Sequence, residues 1–286
     1  MKKILILGKN SFIASHLKYP KADERFPANK NEIEKILDSH LPDVIINCIA
    51  YCGNKNVDDC EINKEKTIET NLTIPTIIAD YTNRHDIQLI QISSGCVNYG
   101  DSPHTKFVDG KKIDSGWKET DFSNPQAMYS RSKYACDLVL SQYKNVLLPR
   151  LRMPLSGSSN SRNLISKLIK YSKVLIEPNS ITFVDDLVRF IDFAIDKNLT
   201  GIYNVNNSLP TTHDMILDEY KKYVPSHSYE KIGVEELSKL TTAKRSNCIL
   251  DNSKLLGTGF EMTDSLTAIK LSVKEYINNI KKEKNE

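Results

Sequence analysis

The sequence has no apolar run near the roughly 20 residues that a membrane-spanning helix needs. Met1-Lys2-Lys3 is basic, but Ile4-Leu5-Ile6-Leu7 stops at Gly8, too short for the apolar centre of a secretory signal. The expectation is a cytoplasmic protein with no membrane partner. Cysteine is sparse: six residues, at 48, 52, 60, 96, 136 and 248. Cys48 and Cys52 are separated by Ile-Ala-Tyr, not by the two residues usual in zinc or redox pairs. That spacing predicts free thiols in a reducing compartment and no metal site. Clustered charge is missing too. Net charge is +3 with acids and bases interspersed, which argues against a dedicated nucleic-acid surface. The basic end Lys281-Lys282-Glu283-Lys284 reads as a frayed helix terminus. There are no internal repeats and no low-complexity linker.

What is present is a rhythm of short buried strands and amphipathic helices. Ile4–Leu7 is fully apolar, as expected of a parallel strand covered on both faces. Helical spacing follows from about Ser11 to Lys18, then a strand over Asp43–Ile49, a helix over Asn71–Asn83 and a strand over Ile87–Ser93. A helix over Tyr129–Tyr143 and a strand over Val146–Leu151 continue the pattern. This alternation predicts an α/β, doubly wound parallel sheet of Rossmann type with a smaller C-terminal substrate lobe. The expected division is 1–155 with 178–207 for the sheet domain, and 156–177 with 208–286 for the lobe. Ile181–Lys197 reads as a strand turning into a helix. Asp101–Pro125 is a long polar and aromatic insert carrying Trp117, the kind of loop that usually bears on an active site.

Gly8-Lys9-Asn10-Ser11-Phe12-Ile13-Ala14 follows the first strand, where a dinucleotide pyrophosphate meets backbone N–H groups at a helix start. Only the first fingerprint glycine is there; Ser11 and Ala14 replace the others with small residues. Gly8, Asn10, Ser11, Phe12 and Ile13, with Ala50 after the second strand, are the expected cofactor contacts. No acidic residue clearly ends a second strand to take a ribose hydroxyl, and Arg25 suits a 2′-phosphate, so NADPH (NADP+) is favoured.

Tyr129 and Lys133 lie one helical turn apart on one face. A tyrosine with an ammonium nearby can have its pKa lowered and donate a proton to a carbonyl that is being reduced. Ser93-Ser94 ends the preceding strand, and Cys96 two residues on could exchange protons at carbons flanking such a carbonyl. Together these residues resemble the extended short-chain dehydrogenase/reductase family, in which the Ser94 position holds the substrate carbonyl. Further stretches are similar to the nucleotide-rhamnose epimerase-reductases of plants: Asn56–Glu61, Ser94-Gly95-Cys96, Arg150–Pro154, Arg162–Lys167, Pro178-Asn179-Ser180, Leu199–Asn204 and Arg245-Ser246-Asn247. The similarity covers nearly the whole chain, and extends more distantly to dTDP-4-dehydrorhamnose reductases.

The resemblance implies a bifunctional 3,5-epimerase/4-reductase acting on a UDP-linked 4-keto-6-deoxy-hexose, with Cys96 and Lys167 as the acid/base pair. It also implies a separate upstream 4,6-dehydratase and a homodimer. Arg245 is the expected ligand of the nucleotide diphosphate, and Asn163 belongs to the same substrate region. A reductase without epimerase activity and a non-catalytic nucleotide-binding subunit are the alternatives. Sequence alone does not separate Lys167 from Lys170 and Lys173.

Overall fold

A computed structural model describes residues 2–283 of the chain. Five strands, β1 (Ile4–Leu7), β2 (Val44–Asn47), β3 (Gln88–Gln91), β4 (Val146–Leu151) and β5 (Gly201–Val205), lie side by side in that order. All pair in parallel. Ser93–Ser94 pairs with β4 as a short sixth strand, Ser93 opposite Arg150 and Ser94 opposite Leu151. The helices that bear on the core and the site are α1 (Lys30–His40), α2 (Ile74–Arg84), α3 (Met128–Leu140), α4 (Leu164–Leu168), α5 (Val184–Asp196), α6 (His213–Lys221) and α7 (Ser265–Glu283), with other short helices, Val234–Leu240 among them, between.

Alternation along each strand assigns the two faces. Leu5 and Leu7 pack with Ile33 and Leu37 of α1, Ile78 of α2 and Leu140 of α3. Ile6 and Ile46 pack with Leu187, Phe190 and Ile191 of α5. Each such side chain contributes about 1.5–3 kcal/mol on full burial. A third cluster joins Leu155 and Ile181 to Ile165 of α4, Ile216 of α6 and Val273 of α7. Helix α1 starts where Asn29 accepts a hydrogen bond from the Glu32 N–H at 3.1 Å, and ends at Leu41 in the left-handed region.

The expected helix over Ser11–Lys18 does not form. The segment makes only a three-residue 3₁₀ turn, Ala14–His16, then runs back beside β1. Ile6 N–H donates to the Pro20 carbonyl at 2.9 Å and Ala22 N–H to the Ile6 carbonyl at 2.8 Å, so Lys21 bridges β1 in parallel. Phe12, Ile13, Ala14 and Leu17 are buried in the sheet's α5-side cluster. Four apolar residues plugged into the core replace the packing a full helix would supply. A second departure precedes α2: Glu69–Thr73 form a π turn, which shifts the start of the regular helix from Asn71 to Ile74.

Within the insert, Lys106–Val108 and Lys111–Ile113 form an exposed hairpin. Trp117 is buried instead, packed with Cys248 and Leu250. Its backbone N–H donates to the Ile249 carbonyl at 2.8 Å and Asp251 N–H donates back to the Trp117 carbonyl at 2.9 Å. The insert therefore braces the 245–251 segment, which reaches the catalytic residues. No helix among the described residues is long and apolar enough to cross a membrane.

Candidate active site

The C-terminal ends of β3 and β4 and the first turns of α3 converge, and a buried polar knot fixes their spacing. Asp137 of α3 accepts from the Ser93 hydroxyl and, at 2.7 Å, from Arg150 Nε; both charged side chains are at most 2 % exposed. Removing one partner of such a buried pair is strongly destabilising. The knot locks the helix carrying Tyr129 and Lys133 against the strand end carrying Ser94. The π turn adds a second tie that sequence reading missed. Asn71 is fully buried; its side chain accepts from Tyr51 N–H at 2.8 Å and donates to the Tyr51 carbonyl at 2.9 Å and the Ser132 hydroxyl at 3.1 Å. Such turns recur at functional sites, but no residue pattern announced this one.

Ser94 caps the short turn Gly95–Val97 by accepting from Cys96 N–H at 3.1 Å, and its hydroxyl lies beside the Tyr129 phenol. The expected lowering of the Tyr129 pKa is corrected. Burial pushes the phenol above its ordinary value and neighbouring thiols add to the rise, outweighing Ser94. The Lys133 ammonium, itself buried, donates to the Ile92 carbonyl at 2.8 Å. Tyr129 is thus a phenol that keeps its proton near neutrality, which suits an acid that gives a proton to a carbonyl oxygen.

Cys96 sits one turn beyond Ser94, half-buried. Gly95 packs tightly beside it: a Cβ on Gly95 would lie 2.4 Å from Leu250 Cδ1, so a side chain there would make the buried Leu250 side chain shift. Lys167 on α4 faces the same space. Burial lowers its pKa, with Cys52, Arg162, Cys96 and Arg245 the charged or ionisable groups that act on it. The structure separates it from the two lysines that looked equivalent: Lys170 is exposed, and Lys173 is paired with Glu236 and Glu230. Two further groups escaped the sequence reading. Cys52 lies within electrostatic reach of both Lys167 and Tyr129. Arg152 donates from Nη1 to Cys96 Sγ at 2.8 Å. Only Cys52's odd spacing from Cys48 could have drawn notice.

Two expected substrate contacts have other work. Asn163 is fully buried, and its amide is taken up by the backbone: Nδ2 donates to the Ser156 and Ser158 carbonyls at 2.7 and 2.6 Å, and Oδ1 accepts from Ser156 N–H at 3.2 Å. It shapes the loop before α4 and has nothing left for a ligand. Arg245 makes a two-pronged pair with Asp58, both contacts 2.8 Å. Burial opposes the charge on Asp58, yet Arg245 and the Ala243 N–H hold its carboxyl below the usual range. A diphosphate would have to compete with that carboxylate.

Along the same carboxyl edge of the sheet, after β1, Gly8 has φ +83°, and a Cβ there would sit 3.0 Å from Ile49 N and 3.1 Å from the Cys48 carbonyl carbon. Glycine is required for β1 and β2 to end this close. The backbone N–H groups of Asn10, Phe12 and Ile13 have no acceptor among the described residues, so the loop fits phosphate oxygens through bare N–H groups. A three-residue turn adds almost no helix dipole to that. Asn10 and Ala50 are exposed and Ser11 half-buried at this rim, whereas the Phe12 and Ile13 side chains belong to the core. The structure also corrects the view that no acid ends a second strand: Asp23 follows the Lys21 bridge and pairs with Lys9 at 2.7 Å. Arg25 is exposed and makes no contact with this loop among the described residues.

Two surface grooves of about 330 and 540 Å³ border α5 and α7; Ser156 and Ser158 line the first, and neither is lined by Tyr129, Ser94, Cys96, Lys167 or the Gly8–Ile13 loop.

Over 227 residues the chain is 37 % identical to a bifunctional dTDP-4-dehydrorhamnose 3,5-epimerase/dTDP-4-dehydrorhamnose reductase of Arabidopsis thaliana, covering 78 % of this chain and 72 % of that protein. It is 33 % identical to an Arabidopsis thaliana trifunctional UDP-glucose 4,6-dehydratase/UDP-4-keto-6-deoxy-D-glucose 3,5-epimerase/UDP-4-keto-L-rhamnose-reductase, covering 88 % of this chain but 39 % of that protein. Among solved structures, the L780 UDP-rhamnose synthase of Acanthamoeba polyphaga mimivirus superposes with a TM-score of 0.87 at 25 % identity, covering 96 % of this chain and 99 % of that one. A dTDP-4-dehydrorhamnose reductase from Bacillus anthracis str. Ames, in complex with NADP, shares the fold with a TM-score of 0.80 at 19 % identity, covering 98 % and 100 %. Residues 2–279 match the family described as RmlD substrate binding domain, and the chain belongs to that family.

Proposed function

We propose that the chain is a bifunctional enzyme that epimerises a UDP-linked 4-keto-6-deoxy-hexose at carbons 3 and 5 and then reduces the 4-keto group, making UDP-L-rhamnose. The observation that carries this reading is the meeting of two proton-handling sets in one place: Tyr129 with Ser94, and Cys96 with a lowered Lys167. The 4-keto group acidifies the protons on its flanking carbons. One of Cys96 and Lys167 removes such a proton, leaving an enolate whose oxygen accepts from Tyr129 and Ser94. The other returns a proton from the opposite face, and the centre inverts. After both centres have inverted, carbon 4 takes a hydride and its oxygen takes the Tyr129 proton.

When bound, NADPH supplies that hydride. The N–H groups of Asn10, Phe12 and Ile13 would hold its pyrophosphate, Ala50 would border it, and Lys133 would hold the nicotinamide ribose. The names of the trifunctional plant relatives and the mimivirus synthase support UDP. The names of the trifunctional plant relatives join a 4,6-dehydratase to these activities, which supports a 4,6-dehydratase as the source of this substrate.

The test is to give the purified chain UDP-4-keto-6-deoxy-glucose and NADPH in deuterated water, with no other protein. UDP-rhamnose carrying deuterium at carbons 3 and 5 is expected. NADPH oxidation only with a pre-epimerised keto-sugar would leave a 4-reductase and reject the epimerase. Binding of NADPH without oxidation by any 4-keto nucleotide sugar would reject both activities.

A further inference from the structure

Arg152 is 3 % exposed and has no carboxylate partner among the described residues. A buried cation without an anion is costly unless its counter-charge lies elsewhere. Its five N–H donors are nevertheless arranged with care. Nε and Nη2 grip the Asn179 side-chain oxygen at 3.0 and 2.7 Å, and Nη2 also reaches the Ser246 carbonyl at 2.6 Å. Nη1 remains, aimed at Cys96 Sγ at 2.8 Å. Asn179 is held in turn by the Asn247 side chain, and Met153 turns the chain sharply, at φ +41°, directly after Arg152. The other titratable groups facing this guanidinium are Cys248, Tyr99 and His213. None supplies an anion: the Cys248 and Tyr99 pKa values are raised by burial, and burial and Arg152 itself push His213 down to about 4, so all three stay neutral.

We infer that Arg152 is the positioning residue of Cys96: a guanidinium clamped by Asn179 and Ser246 that fixes the sulfur and supplies its counter-charge when the sulfur has given up its proton. The inference rests on the reading of Cys96 as an epimerising group, but it predicts a property of the resting protein. The anionic sulfur is the nucleophile toward an alkylating agent, so Arg152 governs how fast Cys96 is alkylated with no substrate or cofactor present.

The experiment treats the full chain with iodoacetamide at one neutral pH and follows Cys96 and Cys52 separately by peptide mass spectrometry. In Arg152→Ala, Cys96 alkylation is expected to slow by about tenfold relative to Cys52. Millimolar free guanidinium, but not equal ionic strength of sodium chloride, should restore it by refilling the cavity. Arg152→Lys, which keeps a charge in a smaller volume and guards against a misfolded alanine variant, should fall between the two. Cys96 alkylated at the parent rate in both variants, or slowing shared equally by Cys52, would overturn the assignment. Failure of the deuterium test with this result intact would reject the epimerase and leave the Arg152–Cys96 pair standing.

Discussion

Two stretches of the carboxyl edge of the central sheet are built to different tolerances. At the end of β3 and β4, the groups that position Tyr129 and Cys96 are held by buried partners: Asp137 by Arg150 and Ser93, Asn71 by Tyr51 and Ser132, Arg152 by Asn179. At the end of β1, a three-residue turn stands where a helix is expected, and its charged pair Lys9–Asp23 is open to water. Proton transfer to a defined carbon fails when a group moves by an ångström. Gripping a diphosphate needs only a few N–H groups pointing the same way. The fold has been shortened where the chemistry tolerates it.

If the catalytic end is as exacting as its packing indicates, the largest losses come from single atoms there. Tyr129→Phe removes only a hydroxyl. It should cut reduction of a pre-epimerised 4-keto-sugar by at least about a hundredfold, the usual scale of general acid catalysis, measured as NADPH oxidation. Loss of less than tenfold would hand the proton to another group, with Ser94 first in line. Cys96→Ala should be more selective. Deuterium entry at carbons 3 and 5 is expected to disappear while reduction of the pre-epimerised sugar persists. If both reactions vanish together, Cys96 holds the Gly95–Val97 turn in place and does not exchange protons.

The same contrast explains what the sequence made legible. Strands β1 to β4 were readable from their short runs of buried apolar residues, and the Tyr129–Lys133 spacing carries its own chemistry. The phosphate loop misled because Phe12, Ile13, Ala14 and Leu17 have the spacing of a helix face and are indeed buried, but as a plug. Periodicity reports burial and not backbone hydrogen bonding. Asp23 was missed as a strand-end acid because a strand of one bridge has no pattern to find. The partners of Asn163 and Arg245 were not legible, since composition does not reveal that Ser156, Ser158 and Asp58 already occupy them. Lys167 stood apart from Lys170 and Lys173 only once their exposure and partners were visible.

An intermediate effect should appear in stability against pH, and again at the catalytic end. His213 lies behind Arg152, its Nε2 3.3 Å from Met153 Sδ, and burial with Arg152's charge pushes its pKa from 6.5 to about 4. The unfolded chain then binds more protons than the folded one between those values, so stability rises with pH across that window. The contribution is fully present above pH 6.5 and is lost as pH falls toward 4, by about 3 kcal/mol at most. Denaturant melts of the parent and His213→Gln at a series of pH values check this. The variant should be less stable at pH 7.5 but show a shallower decline on acidification. Parallel curves would mean that other groups carry the acid sensitivity.

The smallest effect belongs to the loose end and tests whether it discriminates at all. Lys9 and Asp23 are 41 % and 87 % exposed, so breaking their pair should leave the melting temperature essentially unchanged. Binding is another matter. Asp23 follows the segment beside β1, where an acid accepts from a ribose 2′-hydroxyl and repels a 2′-phosphate. Lys9, on the adjoining loop, would attract that phosphate but is engaged by Asp23, whose carboxyl it holds below the ordinary range. Asp23→Asn should therefore tighten NADPH and weaken NADH, changing their affinity ratio a few-fold, while Lys9→Ala moves the ratio the other way. Calorimetric titration of both cofactors reads this without turnover. The shift should shrink at high salt, as it must for charges this exposed. An unchanged ratio in both variants would move 2′-phosphate recognition away from this pair and back to Arg25.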